Sequence, residues 1–207
     1  MYIPKIYKSE DEILMKSIIN ENGFALLISN KTHKILASHS MFLWNESEVP
    51  FLETHISRAN PQAKTIKNGD EVLCDFLGAH SYISSSWYDH KNVSTWNYEA
   101  VQIYGKIELM NNDELYNHLD KLTAKYENSQ KCPMLVEKMG KDYVENEMRG
   151  AFGIKIYPTE IDISQKLSQN RKEADYQNII LNLEQSPQEN EKQIAEKMKK
   201  IREYNFF

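Results

Sequence analysis

The residues best suited to binding an anion lie in the segment 57–62, which reads Ser-Arg-Ala-Asn-Pro-Gln. Arg58 carries a guanidinium, which can meet a phosphate with two parallel hydrogen bonds. Pro61 suits the first turn of a helix, so a short helix is predicted to begin near Asn60. Free amides at a helix N-terminus favour negative charge. The segment is the best candidate anion site, although a solvated turn with an ordinary capping network explains the same residues in isolation.

A second group of candidate residues lies between Phe76 and Val101, where aromatic rings alternate with hydroxyls, amides and a histidine. Two of the three tryptophans, Trp87 and Trp96, belong to this stretch. A flat ligand rich in heteroatoms needs ring surface and a few placed polar groups. Aromatic residues are also common in ordinary half-buried strands. The stretch alone slightly favours that plainer interpretation.

A third candidate is the segment 166–171, in which two cations bracket Ser168, Gln169 and Asn170 without any apolar period. It fits either a surface loop or a second loop that contacts a ligand.

Other kinds of site find little support. A zinc site needs at least three converging ligands, and the histidines at 39, 55 and 80 show no recognised spacing, so we expect no metal. The chain has no G-x-S-x-G elbow, no G-x-G-x-x-G fingerprint and no P-loop. The serines at 84–86 are more typical of a loop or of ligand hydrogen bonding than of a nucleophile.

Composition narrows the class of protein. The 207 residues carry a formal charge of −5, which argues against a globally basic, nucleic-acid-binding surface. Cys74 and Cys132 have no zinc or CxxC spacing, which favours a reducing cytoplasm. We see no signal peptide and no apolar run of membrane-spanning length. A cytoplasmic protein without membrane association is expected.

Periodicity predicts a mainly β domain of α+β class. A helix at 9–21 is expected to be capped by Ser9 with Glu12, followed by a hairpin that turns at 30–32. About six strands with one short helix among them are typical of a barrel. The predicted strands are 24–29, 34–39, 51–56, 71–77 and two more from the stretch 76–109.

Helices are expected after these strands. Asn112 or Asp113 can cap a helix that carries leucines at 3.6-residue spacing, and Pro133 opens another, with Gly140 as an interruption. A strand at 151–157 then returns to the sheet. Two helices, at about 173–184 and 188–204, close the chain.

Five motifs follow one another along the chain: HISRANPQ (55–62), GAHSYIS (78–84), SWY (86–88), TWNYEAV (95–101) and KLSQNR (166–171). Taken together and in this order they resemble the PaiB-like family of FMN-binding negative transcriptional regulators, and the resemblance covers residues 1–171. It implies an FMN-binding split β-barrel similar to pyridoxamine-phosphate oxidases. It also implies a homodimer with flavin sites at the subunit interface. Residues 1–171 would form the barrel domain, and residues 172–207 a helical extension packed on the barrel or on the partner.

The resemblance also implies roles for particular residues. The FMN phosphate would be held by Ser57, Arg58 and Asn60. Ring surface near the isoalloxazine or its access path would come from Tyr82, Trp87 and Trp96. Hydrogen bonds to ring or ribityl heteroatoms would come from Asn97, Gln169 and Asn170, with Arg171 as a cation near N1 or the phosphate. The remaining motif residues expected at the cofactor site are His55, Gln62 and Ser84.

Two departures from the family pattern lie in the segment 85–94, between the GAHSYIS and TWNYEAV motifs. The family usually has proline where this chain has Ser85 and Ser94, and the insert at 89–94 looks shorter than usual. Because proline fixes φ, we expect this rim to be more mobile here.

Three functions remain open: a flavin-binding regulatory protein, a flavin-dependent oxidoreductase, and a repressor that binds DNA directly through its last two helices. From residue 172 to 207 there are six Lys or Arg and seven Asp or Glu. A DNA-recognition module needs a positive excess. We therefore expect the final helix to pack through Ile194, Met198 and Ile201, and direct DNA binding is doubtful.

Overall fold

The structure is a computed structural model that describes residues 1–30 and 34–204. The predicted hairpin turn at 30–32 lies partly outside the described residues. The first helix, α1, spans Glu12–Glu21. Its cap differs from the prediction, because Asp11 Oδ1 accepts hydrogen bonds from the amides of Ile13 and Leu14. Ser9 instead belongs to a two-residue strand, β1, at Lys8–Ser9.

Six longer strands follow the first one. Their bounds are β2 Phe24–Asn30, β3 Ile35–Asn45, β4 Phe51–Ser57, β5 Glu71–Ile83, β6 Thr95–Leu109 and β7 Ala151–Lys166. The prediction was wrong in dividing 71–83 into two strands, since β5 is continuous. The return strand β7 is also longer than the predicted 151–157.

The remaining helices lie between β6 and β7 and after β7. Their bounds are α2 Asn112–Glu127, α3 Val136–Met139, α4 Lys141–Met148, α5 Glu173–Glu184 and α6 Glu189–Tyr204. The cap of α2 is Asn111, whose side chain accepts from the Glu114 amide while the Glu114 carboxylate accepts from the Asn111 amide. Neither predicted cap, Asn112 or Asp113, has this role. Gly140 separates α3 from α4 at a φ of 86°, where a side chain would be strained.

The described strands form one seven-stranded sheet in the order β1-β7-β4-β3-β2-β5-β6, and β6 also pairs with β7. The last pairing closes six of the strands into a ring. With the helical pair α5–α6, this is the predicted split β-barrel class with peripheral helices. Among the described residues no helix is long and apolar enough to cross a membrane.

Contacts divide the chain into two compact units. The first consists of residues 1–18, 77–101 and 162–207, and the second of residues 19–76 and 102–161. The boundaries fall within α1, β5, β6 and β7. The predicted division into 1–171 and 172–207 stays a prediction.

Each unit has its own apolar core. In the first unit, α5 and α6 contribute Tyr176, Leu183, Ile194 and Met198 to a buried cluster, as predicted for the packed side of the final helix. In the second unit, Phe42 and Phe76 are fully buried and meet edge to face, with ring centroids 5.2 Å apart. These cores fix the strands that carry the candidate site residues.

Candidate functional site

The predicted site residues fall into two groups, one in each unit. The second unit holds His55, Ser57, Arg58, Asn60 and Gln62. The first unit holds Tyr82, Ser84, Trp87, Trp96, Asn97, Gln169, Asn170 and Arg171. Each group is described by itself.

Arg58 follows the last residue of β4 and is held there by backbone contacts with β7. Ser57 pairs with Ala151, and the Arg58 amide donates to the Gly150 carbonyl at 2.8 Å. The Arg58 guanidinium lies 5.7 Å from the centre of the Phe152 ring. It forms no ion pair with any described residue, so its charge is available to a ligand.

Arg58 lines a cavity of about 1060 Å³ within the second unit, which we call the α2–α4 cavity. Its other walls include Tyr116 and Asn117 of α2, Lys141 of α4, and Arg149 directly after α4. Ligand pockets commonly occupy about 300–1,000 Å³, so the cavity can hold a mononucleotide. Sequence reasoning missed Arg149, which carries no local motif.

The other residues of the 57–62 segment make internal contacts. Ser57 Oγ accepts from the Ala59 amide, and Asn60 bonds both Ser38 and the Gln62 amide. Gln62 is fully buried and donates to the Leu27 carbonyl and to a buried serine. Their roles as phosphate or cofactor contacts stay predictions.

The short helix predicted near Asn60 is a 3-10 turn of four residues, 61–64. So short a turn has no macrodipole comparable to that of an α-helix. The predicted anion binding of this segment therefore rests on the charge of Arg58.

His55 begins a chain of hydrogen-bonding groups that leads into the protein. Its Nδ1 lies 3.1 Å from His118 Nε2, and His118 Nδ1 lies 3.5 Å from Glu53 Oε2. His118 is fully buried and Glu53 is 6% exposed. On the far side, Lys121 Nζ lies 3.3 Å from Glu53 Oε1. The sequence did not predict this chain, because it joins β4 to α2.

Burial and charge shift the pKa values along this chain. Burial, reinforced by the nearby His118, lowers the pKa of His55 from 6.5 to about 4. For Glu53, burial opposes the charged form, but the neighbouring His118 and the charge of Lys121 outweigh it and lower the carboxyl pKa. With its pKa near 4, His55 is neutral at pH 7.

In the first unit, three rings form a partly exposed aromatic cluster, which we call the 80–96 cluster. Trp96 is 52% exposed and Tyr82 is 44% exposed, and their ring centroids lie 6.0 Å apart. The His80 ring lies 6.2 Å from that of Trp96 and is oriented by a 2.9 Å contact of its Nδ1 with the Gly78 carbonyl. Tyr82 and Trp96 thus have exposed ring surface, and its contact with an isoalloxazine stays a prediction.

The amides predicted to bond the flavin are largely engaged within the protein. Asn97 is fully buried, and its Oδ1 accepts from Ser168 Oγ at 3.0 Å. Gln169 accepts from the Leu167 amide and donates back to the Gln165 carbonyl. These bonds hold a tight turn in which Ser168 has a φ of 60°. Asn170, by contrast, is exposed.

The remaining residues of this group are Ser84, Trp87 and Arg171, and each contacts a different neighbour within the first unit. Ser84 caps the 3-10 turn 85–87 by accepting from the Ser86 amide. Trp87 packs against the α5–α6 core, and its carbonyl accepts from Asn178 of α5. The Arg171 guanidinium lies 5.0 Å from the centre of the Tyr88 ring. Contact of any of them with a flavin stays a prediction.

A potential cation-binding group also lies in the first unit. One ligand atom from each of Asp89, His90 and Asp175 lies within 4.8 Å of the others. His90 Nδ1 contacts Asp89 Oδ1 at 2.6 Å, and Asp175 accepts from the Asp89 amide. These hydrogen bonds attach the loop that carries Asp89 and His90 to α5. They explain the grouping of the three side chains without an ion.

Comparison with known proteins adds independent information. A family model described as "Putative FMN-binding domain" matches residues 1–160. The "Protease synthase and sporulation protein PAI 2" of Bacillus subtilis is 39% identical over 199 residues, covering 96% of both chains.

Two solved structures share the fold at low sequence identity. The FAD and heme binding protein of Mycobacterium smegmatis has a TM-score of 0.58 at 12% identity, covering 77% of this chain and 73% of its own. The flavocytochrome Anf3 of Azotobacter vinelandii has a TM-score of 0.57 at 14% identity, covering 85% and 78%. The family match covers most of the chain, and it confirms the resemblance seen in the sequence motifs. The chain belongs to the PaiB-like family of FMN-binding domains.

Proposed function

We propose that this protein binds FMN and that Arg58 holds the FMN phosphate. The observation that carries the proposal is the Arg58 guanidinium, which lines a cavity of about 1060 Å³ and forms no ion pair with any described residue. A guanidinium offers a phosphate two parallel hydrogen bonds, and an anionic ligand would complete its pairing.

The cavity suits a phosphate on a larger body. Its volume is at the upper end for ligand pockets, and its walls combine cations with the Tyr116 ring and the amide of Asn117. When bound, FMN supplies the electron- or hydride-transfer chemistry, while the protein supplies binding and orientation. The family match supports FMN as the flavin.

The test compares FMN with riboflavin, which lacks the phosphate. The wild-type protein is titrated with each flavin, and flavin absorbance and fluorescence are followed. Arg58→Ala should weaken FMN binding by roughly 1.5–3 kcal/mol, typical of a hydrogen bond to a charged group, and leave riboflavin binding nearly unchanged. A wild-type protein that binds neither flavin would refute the proposal. Equal weakening for both flavins would show that Arg58 acts elsewhere than on the phosphate.

The 80–96 cluster is proposed separately as a surface for a flat ring. Tyr82 and Trp96 are large, rigid and partly exposed, so a planar ligand could cover them. This part of the proposal does not depend on Arg58.

A regulatory role is the function that we favour for the flavin-bound protein. We also propose that the protein assembles as a homodimer. The name of the Bacillus subtilis relative, "Protease synthase and sporulation protein PAI 2", mentions sporulation, and this supports a regulatory role. Closed two-fold dimers are the commonest oligomers, and the exposed rings of Tyr82 and Trp96 would be covered in such an assembly or by a ligand.

A flavin-dependent oxidoreductase is the second candidate, and the His55–His118–Glu53 chain favours it. A neutral imidazole in contact with a buried imidazole and carboxylate can accept and pass on a proton. Consumption of NADH or NADPH by the FMN-loaded protein would support this activity. If a reductase activity appears and His55→Gln leaves its rate and pH profile unchanged, the chain takes no part in it.

A further inference from the structure

Two arginines, Arg58 and Arg149, line the α2–α4 cavity, although they are far apart in the sequence. β4 and β7 pair in a register that sets Ser57 opposite Ala151. One step beyond that pair, the Arg58 amide donates to the Gly150 carbonyl at 2.8 Å. Arg149 is therefore the immediate chain neighbour of the residue that anchors the Arg58 backbone.

The backbone around Arg149 is held in a tight turn at the end of α4. The Arg149 amide donates to the Asn146 carbonyl at 3.2 Å, and the Gly150 amide donates to the Glu147 carbonyl at 3.0 Å. The side chains of Arg58 and Arg149 both line the cavity. The backbone of Arg149 is thus held in place by strand pairing and by the helix end.

The charges around the cavity are not balanced. Lys141 lies 3.6 Å from Glu145, so this pair largely neutralises itself. Asp113 is the other acid on the wall, against the two arginines. In the described part of the chain neither Arg58 nor Arg149 has an ion-pair partner. One positive charge remains in excess, and two guanidiniums are free to share one dianion.

The uncharged lining suggests what the anion is attached to. Tyr116 is half-buried, lines the cavity and packs against the apolar cluster formed by α2, α3 and α4. Met148 belongs to the same cluster and also lines the cavity. A lining that combines two guanidiniums without ion-pair partners among the described residues with apolar surface fits a phosphate monoester on an organic body better than free inorganic phosphate.

We infer that Arg149 is a second phosphate-binding residue, which with Arg58 clasps the phosphate monoester of FMN in the α2–α4 cavity. The inference rests on the proposed function and extends it to a residue outside every family motif described above. A phosphate monoester carries close to two negative charges at pH 7. Two guanidiniums match that charge and offer more donors than either alone.

The experiment measures the ratio of the dissociation constants for FMN and riboflavin. The variants are Arg58→Ala, Arg149→Ala, Arg149→Lys and the double alanine variant. Lys64→Ala is the matched control, because Lys64 is an exposed cation of the same unit that does not line the cavity. The ratio is insensitive to a modest loss of folded protein, since both flavins would be affected equally.

Arg149→Ala should weaken FMN binding at least tenfold more than riboflavin binding. Arg149→Lys should restore part of the loss, because lysine keeps the charge but loses the two-pronged geometry. Lys64→Ala should leave the ratio unchanged. If Arg58→Ala lowers FMN selectivity and Arg149→Ala does not, the inference is overturned while the proposed function stands. If the wild-type protein binds FMN no better than riboflavin, the phosphate is not recognised and both proposals are overturned.

Discussion

Lys197 of α6 lies 2.6 Å from Glu99 of β6, and the Glu99 side chain is 1% exposed. The second carboxylate oxygen accepts a hydrogen bond from Gln165 at 2.8 Å. A charge this deeply buried is tolerated when it is paired. The pair therefore ties the final helix to the strand that carries Trp96 and Asn97.

Removing the lysine alone should destabilise the protein strongly. Lys197→Ala leaves Glu99 buried without its partner, and breaking a buried pair costs about 3–5 kcal/mol. Urea unfolding followed by circular dichroism measures the loss. The exposed neighbour Lys200, changed to alanine, is the control and should alter stability by less than about 0.5 kcal/mol. The double variant Glu99→Leu/Lys197→Met should recover most of the stability, and equal losses for Lys197→Ala and Lys200→Ala would contradict the role of the pair.

Direct DNA binding should be weak and independent of sequence. Of the four cations near the end of α6, Lys197 pairs with Glu99, Lys199 with Glu184, and Arg202 with Glu173. Cations that are already paired contribute less to phosphate binding. We expect non-specific affinity no tighter than about 10⁻⁶–10⁻⁴ M at near-physiological salt.

Fluorescence anisotropy with excess competitor DNA tests this expectation, with salt varied across the series. Electrostatic contact should weaken steeply as salt rises. A saturable complex with a dissociation constant of nanomolar order that survives competitor DNA would contradict this expectation. A repressor that binds DNA directly would then become the leading function. Reversing the charge of Lys199 and Lys200 would then show whether α6 makes the contact.

Stability should fall as the pH is lowered from about 6.5 to about 4, partly because of His55. Burial and His118 hold its pKa at about 4, against 6.5 when exposed. The unfolded chain therefore binds more protons in this window, and the contribution to the loss is at most about 3 kcal/mol. Glu53, whose carboxyl pKa is also lowered, adds a further loss below its usual titration range near 4.5.

Urea midpoints between pH 4 and pH 8 measure this dependence. His55→Gln should reduce the change of the urea midpoint between pH 4 and 6.5. The control His39→Gln, at an exposed position, should leave that change as it is in the wild-type protein. An unchanged slope in His55→Gln would assign the effect to other groups.

If the 80–96 cluster is the surface for the flavin ring, FMN should quench tryptophan fluorescence mainly through Trp96. Its ring is 52% exposed and belongs to the 80–96 cluster, which we propose as the surface for a flat ligand. Trp96→Phe should remove more of the quenching than Trp44→Phe, since the indole nitrogen of Trp44 is buried. A larger loss in Trp44→Phe would place the flavin ring away from Trp96.

The protein should sediment as a homodimer at micromolar concentration. Analytical ultracentrifugation measures the mass directly, against 24.3 kDa for one chain. Trp96→Asp should weaken the dimer if the 80–96 cluster lies at the interface, because a buried unpaired charge is costly. The control Tyr143→Asp alters another exposed aromatic residue and should leave the mass unchanged. A stable wild-type monomer would contradict the assembly.

Local sequence patterns specify the secondary elements in which apolar residues recur at a regular spacing. They also identify the family. Helix 173–184 coincides with α5 because its apolar residues recur at helical spacing. The five motifs identified the family, and the match over residues 1–160 confirms it. Local patterns carry these results because each depends on residues close together in the chain.

The tertiary structure adds the burial and the partners of each candidate residue. Gln62 and Asn97 are expected from the sequence at the cofactor site; both are fully buried and make hydrogen bonds within the protein, and their contact with a cofactor stays a prediction. An amide has the same donors and acceptors whether its partner is a flavin or a backbone carbonyl. That Arg149 lines the same cavity as Arg58 likewise depends on the β4–β7 register, which no local pattern encodes. Such long-range pairing is selected by the packing of the whole core, and for that reason Arg149 becomes a candidate only in the folded chain.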